Sequence, residues 1–175
     1  QNLGVFMDQT TLTGKSVIDS FEGEYEFLSN FYNCPVTYKG ITYNNSEAAF
    51  QAQKVTDVYT QVRDFTGVTA SVAKKLGRHC YLRPDWNAIR VDEMRAIVLQ
   101  KFLQNPRLEK RLLDTGTATL IEGNWWNDKF WGVCKGEGCN MFGIILMEVR
   151  DYISNLRVAY LTAPAKLEPV DYPYD

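Results

Sequence analysis

The apolar positions of this chain follow helical spacing over two long runs, both in its second half. Residues 91–104 place apolar side chains three and four positions apart and predict the longest helix. Residues 140–154 repeat this pattern and predict the helix that closes the domain. We assign the following apolar residues of the two runs to buried faces: Met94, Ile97, Val98, Phe102, Ile145, Leu146, Met147, Val149, Tyr152 and Ile153.

Residues 34–44 have the pattern of a β-hairpin. Two short segments rich in β-branched and aromatic residues flank a Lys39-Gly40 turn. A helix is predicted to follow from Asn45. Asn44 is its predicted N-cap, with Glu47 as the capping-box partner.

Glycine and proline divide the middle of the chain. Residues 55–76 predict one or two short helices that break near Gly67 and end at Gly77. Asn105-Pro106 predicts the start of another helix, which stops at Gly116. Residues 118–121 are a candidate strand. Together these elements predict an α+β fold, a mainly helical single domain with a small β-sheet or hairpin.

Both ends of the chain lack the periodicity of the middle. Residues 1–19 are rich in Thr, Gly and Ser and are expected to form an N-terminal arm. Residues 155–175 are poorer in apolar residues and contain three prolines, which predicts a flexible C-terminal tail. The catalytic domain is therefore expected to occupy residues 20–154.

Composition and charge limit the classes of protein that this chain can belong to. The 175 residues are 45% hydrophobic and 23% charged, which fits one globular domain. A formal net charge of −2 argues against nucleic-acid binding over the whole surface and leaves a local basic patch open. The longest apolar stretch, residues 141–147, is too short to span a bilayer, and no signal peptide is visible. We therefore expect a cytoplasmic protein without a membrane partner.

The cysteines and the single histidine do not form a metal-binding pattern. The cysteines have no CxxC pair and are expected to be reduced thiols, so we expect no metal and no cofactor. His79 lies in an Arg78-His79-Cys80 run at a predicted helix end, where capping or packing is its expected role. Chemistry is therefore expected to depend on carboxylates, lysine and amides. The cysteines concerned are Cys34, Cys80, Cys134 and Cys139.

Two clusters mix aromatic rings with hydrogen-bonding side chains. The first is residues 27–32 (FLSNFY) and the second is residues 125–132 (WWNDKFWG). Such mixing suits a pocket that stacks against a flat group and binds its edges. A Trp-rich loop that closes the end of a core is the alternative, and the presence of two clusters favours the pocket.

A polar stripe follows the hairpin on the predicted helix. Glu47, Gln51 and Lys54 fall at i, i+4 and i+7, with Phe50 beside them. A carboxylate, an amide and an ammonium on one stripe suit binding of a sugar or a nucleobase. The alternative is a solvated helix face on which Glu47 acts only as a cap.

The late part of the chain adds further polar candidates. Glu122 and Asp128 lie near Trp131 and Gly132, ahead of a glycine-bearing stretch that ends at Asn140. A glycine-rich stretch that opens a helix can offer N–H groups to phosphate, although this spacing is not that of a known nucleotide fingerprint. The alternative is a loop with Asn140 as helix N-cap.

These motifs, in this order, resemble those of the NADAR (YbiA-like) family. The resemblance rests on residues 27–32, on a G-x-x-Y-x-x-S-E-x-x-F-Q-A-x-K block over residues 40–54, on Lys101-Phe102, on the D-x-x-W-G of residues 128–132 and on an N-x-x-G-x-x-L-M-x-V-R block over residues 140–150. It covers roughly residues 21–153 and implies a YbiA-like α+β fold.

The resemblance implies an N-glycosidase that acts on ribosides linked to NAD and ADP-ribose metabolism. Two substrate classes are associated with the family: ADP-ribose attached to a base, notably guanine in DNA, and ribosylamino-pyrimidine phosphates of riboflavin synthesis. The residues that the resemblance assigns to the site are Ser29, Asn30, Phe31, Glu47, Gln51, Lys54, Lys101, Glu122, Asp128, Trp131, Gly132 and Asn140. Trp126 is added as a stacking candidate, with Trp86 assigned either to stacking or to the core.

Cleavage of a C1′–N bond suggests roles for three of these residues. Glu47 is expected beside the anomeric carbon, as electrostatic stabiliser or as base for water. Asp128 is either the proton donor or an anchor for a ribose hydroxyl. Lys54 either neutralises substrate phosphate or attacks C1′ to form a Schiff base.

The preferred interpretation is therefore a hydrolase that removes ADP-ribose from guanine in DNA, with an ADP-ribose-type nucleotide and single-stranded DNA as partners. Hydrolysis of phosphoribosylamino-pyrimidines is the first alternative. A non-catalytic module that binds ADP-ribose or NAD is the second, and a protein-interaction domain is the third. The sequence makes no prediction of oligomeric state.

Overall fold

The computed structural model describes residues 16–164 of the chain. Within that range the chain forms six α-helices, one short 3₁₀ helix and three two-stranded sheets. The mixed, mainly helical architecture confirms the predicted α+β fold. The helices are the 3₁₀ helix Gly23–Leu28, α1 Ser46–Ala52, α2 Val58–Phe65, α3 Ala70–His79, α4 Trp86–Gln104, α5 Pro106–Asp114 and α6 Met141–Thr162. The strands are β1 Val17–Ile18, β2 Val36–Tyr38, β3 Ile41–Tyr43, β4 Thr119–Leu120, β5 Gly123–Asn124 and β6 Val133–Cys134.

The long helix α4 lies at the centre of the fold. It packs against α1, α5, α6 and strand β2. Ile97, Val98 and Phe102 of α4 are fully or almost fully buried in a single hydrophobic core. Helices α1 and α6 therefore both pack on this central helix.

The strands are short, and two of the three pairings are parallel. The hairpin pairs β2 with β3 antiparallel, with Val36 opposite Tyr43, as the sequence predicts. Strand β1 pairs in parallel with β4, placing Ile18 opposite Leu120. Strand β5 pairs in parallel with β6. The β1–β4 pairing holds the chain just before residue 122, and the β5–β6 pairing holds the chain just after it.

The middle helices agree with the prediction in number and differ at their ends. Two helices, α2 and α3, lie on either side of Gly67, whose φ of +66° suits glycine. Helix α3 runs past the predicted stop at Gly77 to His79. Helix α4 begins at Trp86 rather than at residue 91, because Trp86 itself is buried and anchors the first turn.

Helix α6 is longer than predicted. It continues to Thr162, so the expected flexible tail from residue 155 is helical over its first eight positions. Arg157 makes a bidentate ion pair with the buried Glu109 of α5, at 2.6 and 2.7 Å, which holds this extension against the fold. The rest of the predicted tail, residues 165–175, lies outside the described residues.

The predicted N-terminal arm is described only from residue 16 onward. Val17 and Ile18 form strand β1 there, and Ile18 packs against the core. Among residues 16–164, no helix is both long enough and apolar enough to cross a membrane.

Candidate active site

A pocket of about 860 Å³ opens between α1, α3, the start of α4 and the loop that follows β4. Its volume is within the range of small-molecule sites in proteins. Its walls combine aromatic rings, four carboxylates and several basic side chains. The carboxylates are those of Glu22, Glu47, Glu122 and Asp128.

Helix α1 supplies one wall, and its first turn is fixed by the segment of residues 27–32. The side chain of Asn45 accepts a hydrogen bond from the Ala48 amide, so Asn45 is the N-cap and the predicted cap at Asn44 is wrong by one residue. The backbone amide of Glu47 donates to the Asn30 carbonyl at 3.1 Å. The Ser46 hydroxyl donates to Asn30 Oδ1 at 2.9 Å. Asn30 therefore holds the start of the helix.

Glu47 is buried, with 7% of its surface exposed, although it lines the pocket. Gln51 Nε2, one turn later, donates to Glu47 Oε1 at 2.7 Å. Burial raises the pKa of the Glu47 carboxyl, and nearby Asp128 raises it further, whereas Gln51, Lys74 and Lys54 oppose that shift. Because Glu47 and Gln51 are buried, the alternative of a solvated helix face is wrong.

Gln51 reaches Glu47 only because α3 carries a glycine where it passes α1. A Cβ atom at Gly77 would lie 1.9 Å from Gln51 Oε1, which is far inside contact distance. Gln51 Oε1 is itself buried without a hydrogen-bond partner among the described residues. The close approach of the two helices thus fixes the amide that holds the carboxylate.

Lys54 lies just beyond the end of α1 on the same stripe. Its Nζ donates to the Gly77 carbonyl at 3.2 Å and lies 5.9 Å from the centre of the Trp86 ring. Burial lowers the pKa of Lys54, and nearby Arg78 and Lys74 lower it further, whereas Cys80 and Glu47 oppose that shift.

Asp128 organises the loop that carries the tryptophans. Its Oδ1 accepts hydrogen bonds from the backbone amides of Phe130 and Trp131, at 3.1 and 2.9 Å. The Asn124 side chain both donates to the Asp128 carbonyl and accepts from its amide. One carboxylate oxygen of Asp128 therefore serves the turn, and the residue still lines the pocket.

Glu122 lies two residues after β4 and lines the pocket. Its Oε2 is buried and has no hydrogen-bond partner among the described residues. Burial raises the pKa of Glu122 to about 7, and nearby Asp128 and Glu47 add to the rise.

Aromatic rings form the remaining walls. The Phe50 ring lies 5.0 Å from that of Trp86 and 5.5 Å from that of Trp131, centre to centre. Trp86 is buried and lines the pocket, so it belongs to the core and to the wall at once. At the mouth, Lys74 Nζ lies 5.5 Å from the Phe31 ring and 5.7 Å from the Trp126 ring.

Ten of the thirteen residues assigned to the site from the sequence line this pocket. They are Ser29, Asn30, Phe31, Glu47, Gln51, Lys54, Glu122, Trp126, Asp128 and Trp131. The Ser29 hydroxyl accepts a hydrogen bond from the Phe31 amide. The two clusters of aromatic and polar residues therefore meet in space, as the pocket hypothesis requires.

Three of the thirteen, Lys101, Gly132 and Asn140, lie outside the lining. Lys101 is almost fully buried and donates to the carbonyls of Phe27 and Ser29, at 2.7 and 2.9 Å, so it supports the pocket wall from behind. Burial lowers its pKa to about 8. Gly132 and Asn140 contact the backbone around Glu122. The glycines before Asn140 do not line the pocket either, which disfavours a phosphate loop there.

Sequence reasoning missed the basic side of the pocket. Helix α3 contributes Ser71, Lys74, Lys75 and Arg78, and α4 contributes Arg90, whose guanidinium carbon lies 3.8 Å from the centre of the Phe130 ring. Lys74 and Arg78 are four residues apart on the helix, and that spacing was the available signal. Within the described range, no group of three or more His, Cys, Asp or Glu residues is arranged to hold a metal ion.

Fold and pocket together define a mixed α+β protein with a nucleotide-sized site lined by carboxylates and aromatic rings. Residues 18–154 match the model of the NADAR domain, which is most of the chain. The chain belongs to the NADAR family.

Two relatives and one solved structure describe the similarity further. A riboflavin biosynthesis protein of Vibrio vulnificus is 44% identical over 128 residues, which is 71% of this chain and 35% of that protein. The N-glycosidase YbiA of Escherichia coli (strain K12) is 34% identical over 138 residues, which is 77% of this chain and 86% of YbiA. The NMR structure of E. coli YbiA superposes with a TM-score of 0.73 at 32% identity, covering 88% of this chain and 93% of that one.

The chain thus spans about a third of the Vibrio protein and most of YbiA.

Proposed function

We propose that this protein is an N-glycosidase that hydrolyses the C1′–N bond of a ribosylated base. The observation that carries the proposal is the buried Glu47 carboxylate, which Gln51 holds by a 2.7 Å hydrogen bond at the wall of an aromatic pocket. The similarity to proteins named N-glycosidase YbiA supports the same activity.

The chemistry of the reaction suits this geometry. Breaking the C1′–N bond builds positive charge on the ribose ring, and a nearby carboxylate stabilises that charge. Glu47 is buried, so its charge acts at low local dielectric. The same carboxylate can accept a proton from the water that attacks C1′.

The basic side of the pocket suits a phosphorylated sugar. Lys54, just beyond α1, and Lys74, Lys75 and Arg78 of α3 line the same pocket as the carboxylates that would meet the ribose. Phosphate groups on the substrate would pair with these cations. In this proposal Lys54 neutralises phosphate, and the Schiff-base role is its alternative. The lowered pKa of Lys54 is compatible with either role.

The substrate that we propose is guanine in DNA that carries ADP-ribose. The pocket volume accommodates a nucleotide, and two tryptophans of the neighbouring loop, Trp125 and Trp126, are exposed at 83% and 48%. Exposed rings beside a pocket mouth suit stacking against the bases of a single strand. Phosphoribosylamino-pyrimidine is the second candidate, favoured by the name of the Vibrio relative.

The test is a parallel cleavage assay on the two substrates. Purified protein is incubated with a single-stranded oligonucleotide that carries ADP-ribosylated guanine, and separately with phosphoribosylamino-pyrimidine, and both are followed by mass spectrometry. Glu47→Gln keeps the shape of the side chain and removes its charge, so we expect it to fold and to lose ~10²–10⁴-fold in rate. Circular dichroism of the variant checks that it is folded.

Each outcome assigns a function. Loss of the ADP-ribose mass from DNA, with Glu47→Gln inactive, supports the proposal, and cleavage of the pyrimidine alone selects the second candidate. A fully active Glu47→Gln contradicts the role of Glu47. If the wild type binds ADP-ribose in calorimetry yet cleaves neither substrate, the protein is a binding module and the proposal is wrong.

A further inference from the structure

Glu122 is a half-buried residue whose carboxyl group lines the same pocket as Glu47 and Asp128. Its Oε2 has no hydrogen-bond partner among the described residues, even though that atom is buried. An unpartnered buried carboxyl oxygen costs free energy unless the group is neutral or a ligand reaches it. The position of this atom in a substrate-sized pocket therefore indicates a functional role.

The backbone of Glu122 is held on both sides. Its amide donates to Asn140 Oδ1 at 2.9 Å, and its carbonyl accepts from the Val133 amide at 2.8 Å. A Cβ atom at Gly132 would lie 2.2 Å from the Glu122 carbonyl oxygen and 3.0 Å from Glu122 Cγ. Gly132 therefore allows β6 to pack directly on the residue.

Asn140 is built to hold this segment. Its Nδ2 donates to the Leu120 carbonyl at 2.9 Å while its Oδ1 accepts from Glu122, so one amide side chain bridges the two residues that flank Ile121. Asn140 adopts a φ of +51°, a left-handed conformation that asparagine tolerates better than most residues. Both contacts hold the main chain at Glu122 in place without engaging the Glu122 side chain.

Three of the four carboxylates that line the pocket, Glu47, Asp128 and Glu122, have different surroundings. Glu47 receives a hydrogen bond from Gln51, and Asp128 receives two from backbone amides. Glu122 Oε2 receives none. The charged groups that face Glu122 are Asp128 and Glu47, which favour its protonated form, and Lys101 and Lys74, which oppose it.

We propose that Glu122 is the catalytic acid that protonates the departing base, and that Asn140 and Gly132 are positioning residues that hold it. This inference rests on the proposed N-glycosidase function. It moves the proton-donor role from Asp128, whose Oδ1 is occupied by the Phe130 and Trp131 amides, to a carboxyl with an unoccupied oxygen.

The step balances in atoms and electrons. The C1′–N bond breaks and its electron pair goes to the base, which takes the proton of the Glu122 carboxyl. Water forms the new C1′–O bond and gives its proton to the Glu47 carboxylate. Glu122 ends as a carboxylate and Glu47 as an acid, and one proton returned to Glu122 through solvent restores the starting state. Two carboxyls in the roles of acid and base follow the logic of glycoside hydrolysis.

The rate of cleavage as a function of pH tests the acid role. We expect wild-type kcat to fall above pH of about 7, because Glu122 must carry a proton to act. Glu122→Gln is expected to lower kcat by ~10²–10⁴-fold, with KM nearly unchanged, and to remove that alkaline limb. Glu137→Gln, an exposed glutamate of the β6 turn, is the matched control and is expected to match the wild type.

Asn140→Ala tests the positioning role. We expect a reduced kcat and a displaced alkaline limb, because the variant frees the backbone that holds Glu122. In the double variant Glu122→Gln/Asn140→Ala, removal of Asn140 is expected to cost no further activity, since its effect acts through Glu122. Additive losses in the double variant would contradict this coupling.

A readout that needs no substrate tests the protonation of Glu122. In the folded protein its pKa is about 7, and in the unfolded chain it is near 4.5. Between these values the folded state holds a proton that the unfolded state releases, so stability falls as pH rises through this window. The urea midpoint of the wild type should fall more between pH 5 and pH 8 than that of Glu122→Gln.

The outcomes separate the two proposals. A wild type that cleaves neither substrate overturns the N-glycosidase function and the acid role with it. A wild type that cleaves, beside a Glu122→Gln variant that keeps its rate and its alkaline limb, overturns the acid role alone. Equal pH dependence of the two urea midpoints also overturns it, because Glu122 would then be ionised in the folded protein.

Discussion

At the scale of single residues, the position of the Glu47 carboxylate depends on a residue of another helix that has no side chain. Gly77 of α3 has no Cβ, and Gln51 Oε1 occupies the space where one would lie. Gln51 in turn donates to Glu47. A substitution on α3 should therefore displace the Glu47 carboxylate on α1 through the side-chain amide of Gln51.

Gly77→Ala tests this chain of contacts. Alanine is a better helix former than glycine by about 0.5–1 kcal/mol, but here the added methyl group meets Gln51 at 1.9 Å. We expect the variant to be less stable by about 1–3 kcal/mol, as for other overpacked sites, and to lose at least ~10-fold in cleavage rate. Urea denaturation and the cleavage assay measure the two effects.

The double variant Gly77→Ala/Gln51→Ala separates packing from chemistry. Removal of the Gln51 side chain relieves the contact, so stability should recover while activity stays low. Recovery of both would show that Gln51 does not hold Glu47 for catalysis.

Helical spacing was sufficient to predict the Glu47, Gln51 and Lys54 stripe, because residues at i, i+4 and i+7 share a face in any helix. It was not sufficient for Lys101. That lysine lies among apolar residues of an amphipathic run, and this pattern indicates only that its side chain is buried. Its carbonyl partners lie more than 70 positions away in the chain, and only the folded structure identifies them.

At the scale of secondary-structure elements, Lys101 joins α4 to the segment of residues 27–32. Lys101 Nζ donates to two carbonyls at the end of the 3₁₀ helix, those of Phe27 and Ser29. This segment continues to Asn30, which holds the start of α1. One buried lysine thus connects three elements that surround the pocket.

Lys101→Met is the corresponding test. It keeps the apolar part of the side chain and removes the lysine donor from both carbonyls, of which Ser29 keeps the Tyr32 amide, so we expect a loss of about 1–3 kcal/mol in the free energy of unfolding. Cleavage should weaken as well, since the 27–32 segment loosens. The matched control is Lys110→Met at an exposed position of α5, where the ion pair of Lys110 with Asp114 is solvated and contributes about 0–1 kcal/mol.

The pH dependence of the free energy of unfolding provides a second test of Lys101→Met. The folded pKa of Lys101 is about 8, below its ordinary value of 10.5, so the unfolded chain holds more protons between these pH values. Stability from this group should therefore rise as pH increases from 8 to 10.5. The rise is expected in the wild type and absent in Lys101→Met, and a shared rise would contradict the assignment.

Elements with a clear period could be predicted, and those without one could not. The hairpin and the helices α2 to α6 follow from turn residues and apolar spacing. The parallel pairings β1–β4 and β5–β6 involve two residues on each strand, too few to show any alternation. These same pairings hold Glu122, which is why the environment of that residue was beyond the reach of the sequence.

At the scale of the whole molecule, charge is distributed unevenly. The chain has a net charge of −2, yet the pocket wall formed by α3 carries Lys74, Lys75 and Arg78. Beside it, the rings of Trp125 and Trp126 pack edge to face with centres 5.6 Å apart and remain exposed. A nucleic-acid strand bound at this pocket would thus meet cations and rings together.

Trp125→Ala should distinguish a DNA-linked substrate from a free nucleotide. Trp125 does not line the main pocket, so we expect unchanged affinity for ADP-ribose. Affinity for the modified oligonucleotide should fall by about 1–3 kcal/mol, the contribution of one stacked base. Fluorescence anisotropy with labelled ligands measures both, and the control is Tyr160→Ala, an equally exposed ring on α6. Equal loss for both ligands, or none for the oligonucleotide, would contradict a stacking role for Trp125.

The parallel pairing of β1 with β4 has a consequence for the order in which the protein is made. Val17 leaves the ribosome about a hundred residues before its partner Thr119, so this pairing has to wait while the intervening helices are synthesised. Glu122 follows β4 directly, and Asn140, which bridges it, is made later still. A nascent chain that already contains α1 therefore has no complete site, and the site closes only when α6 begins to emerge.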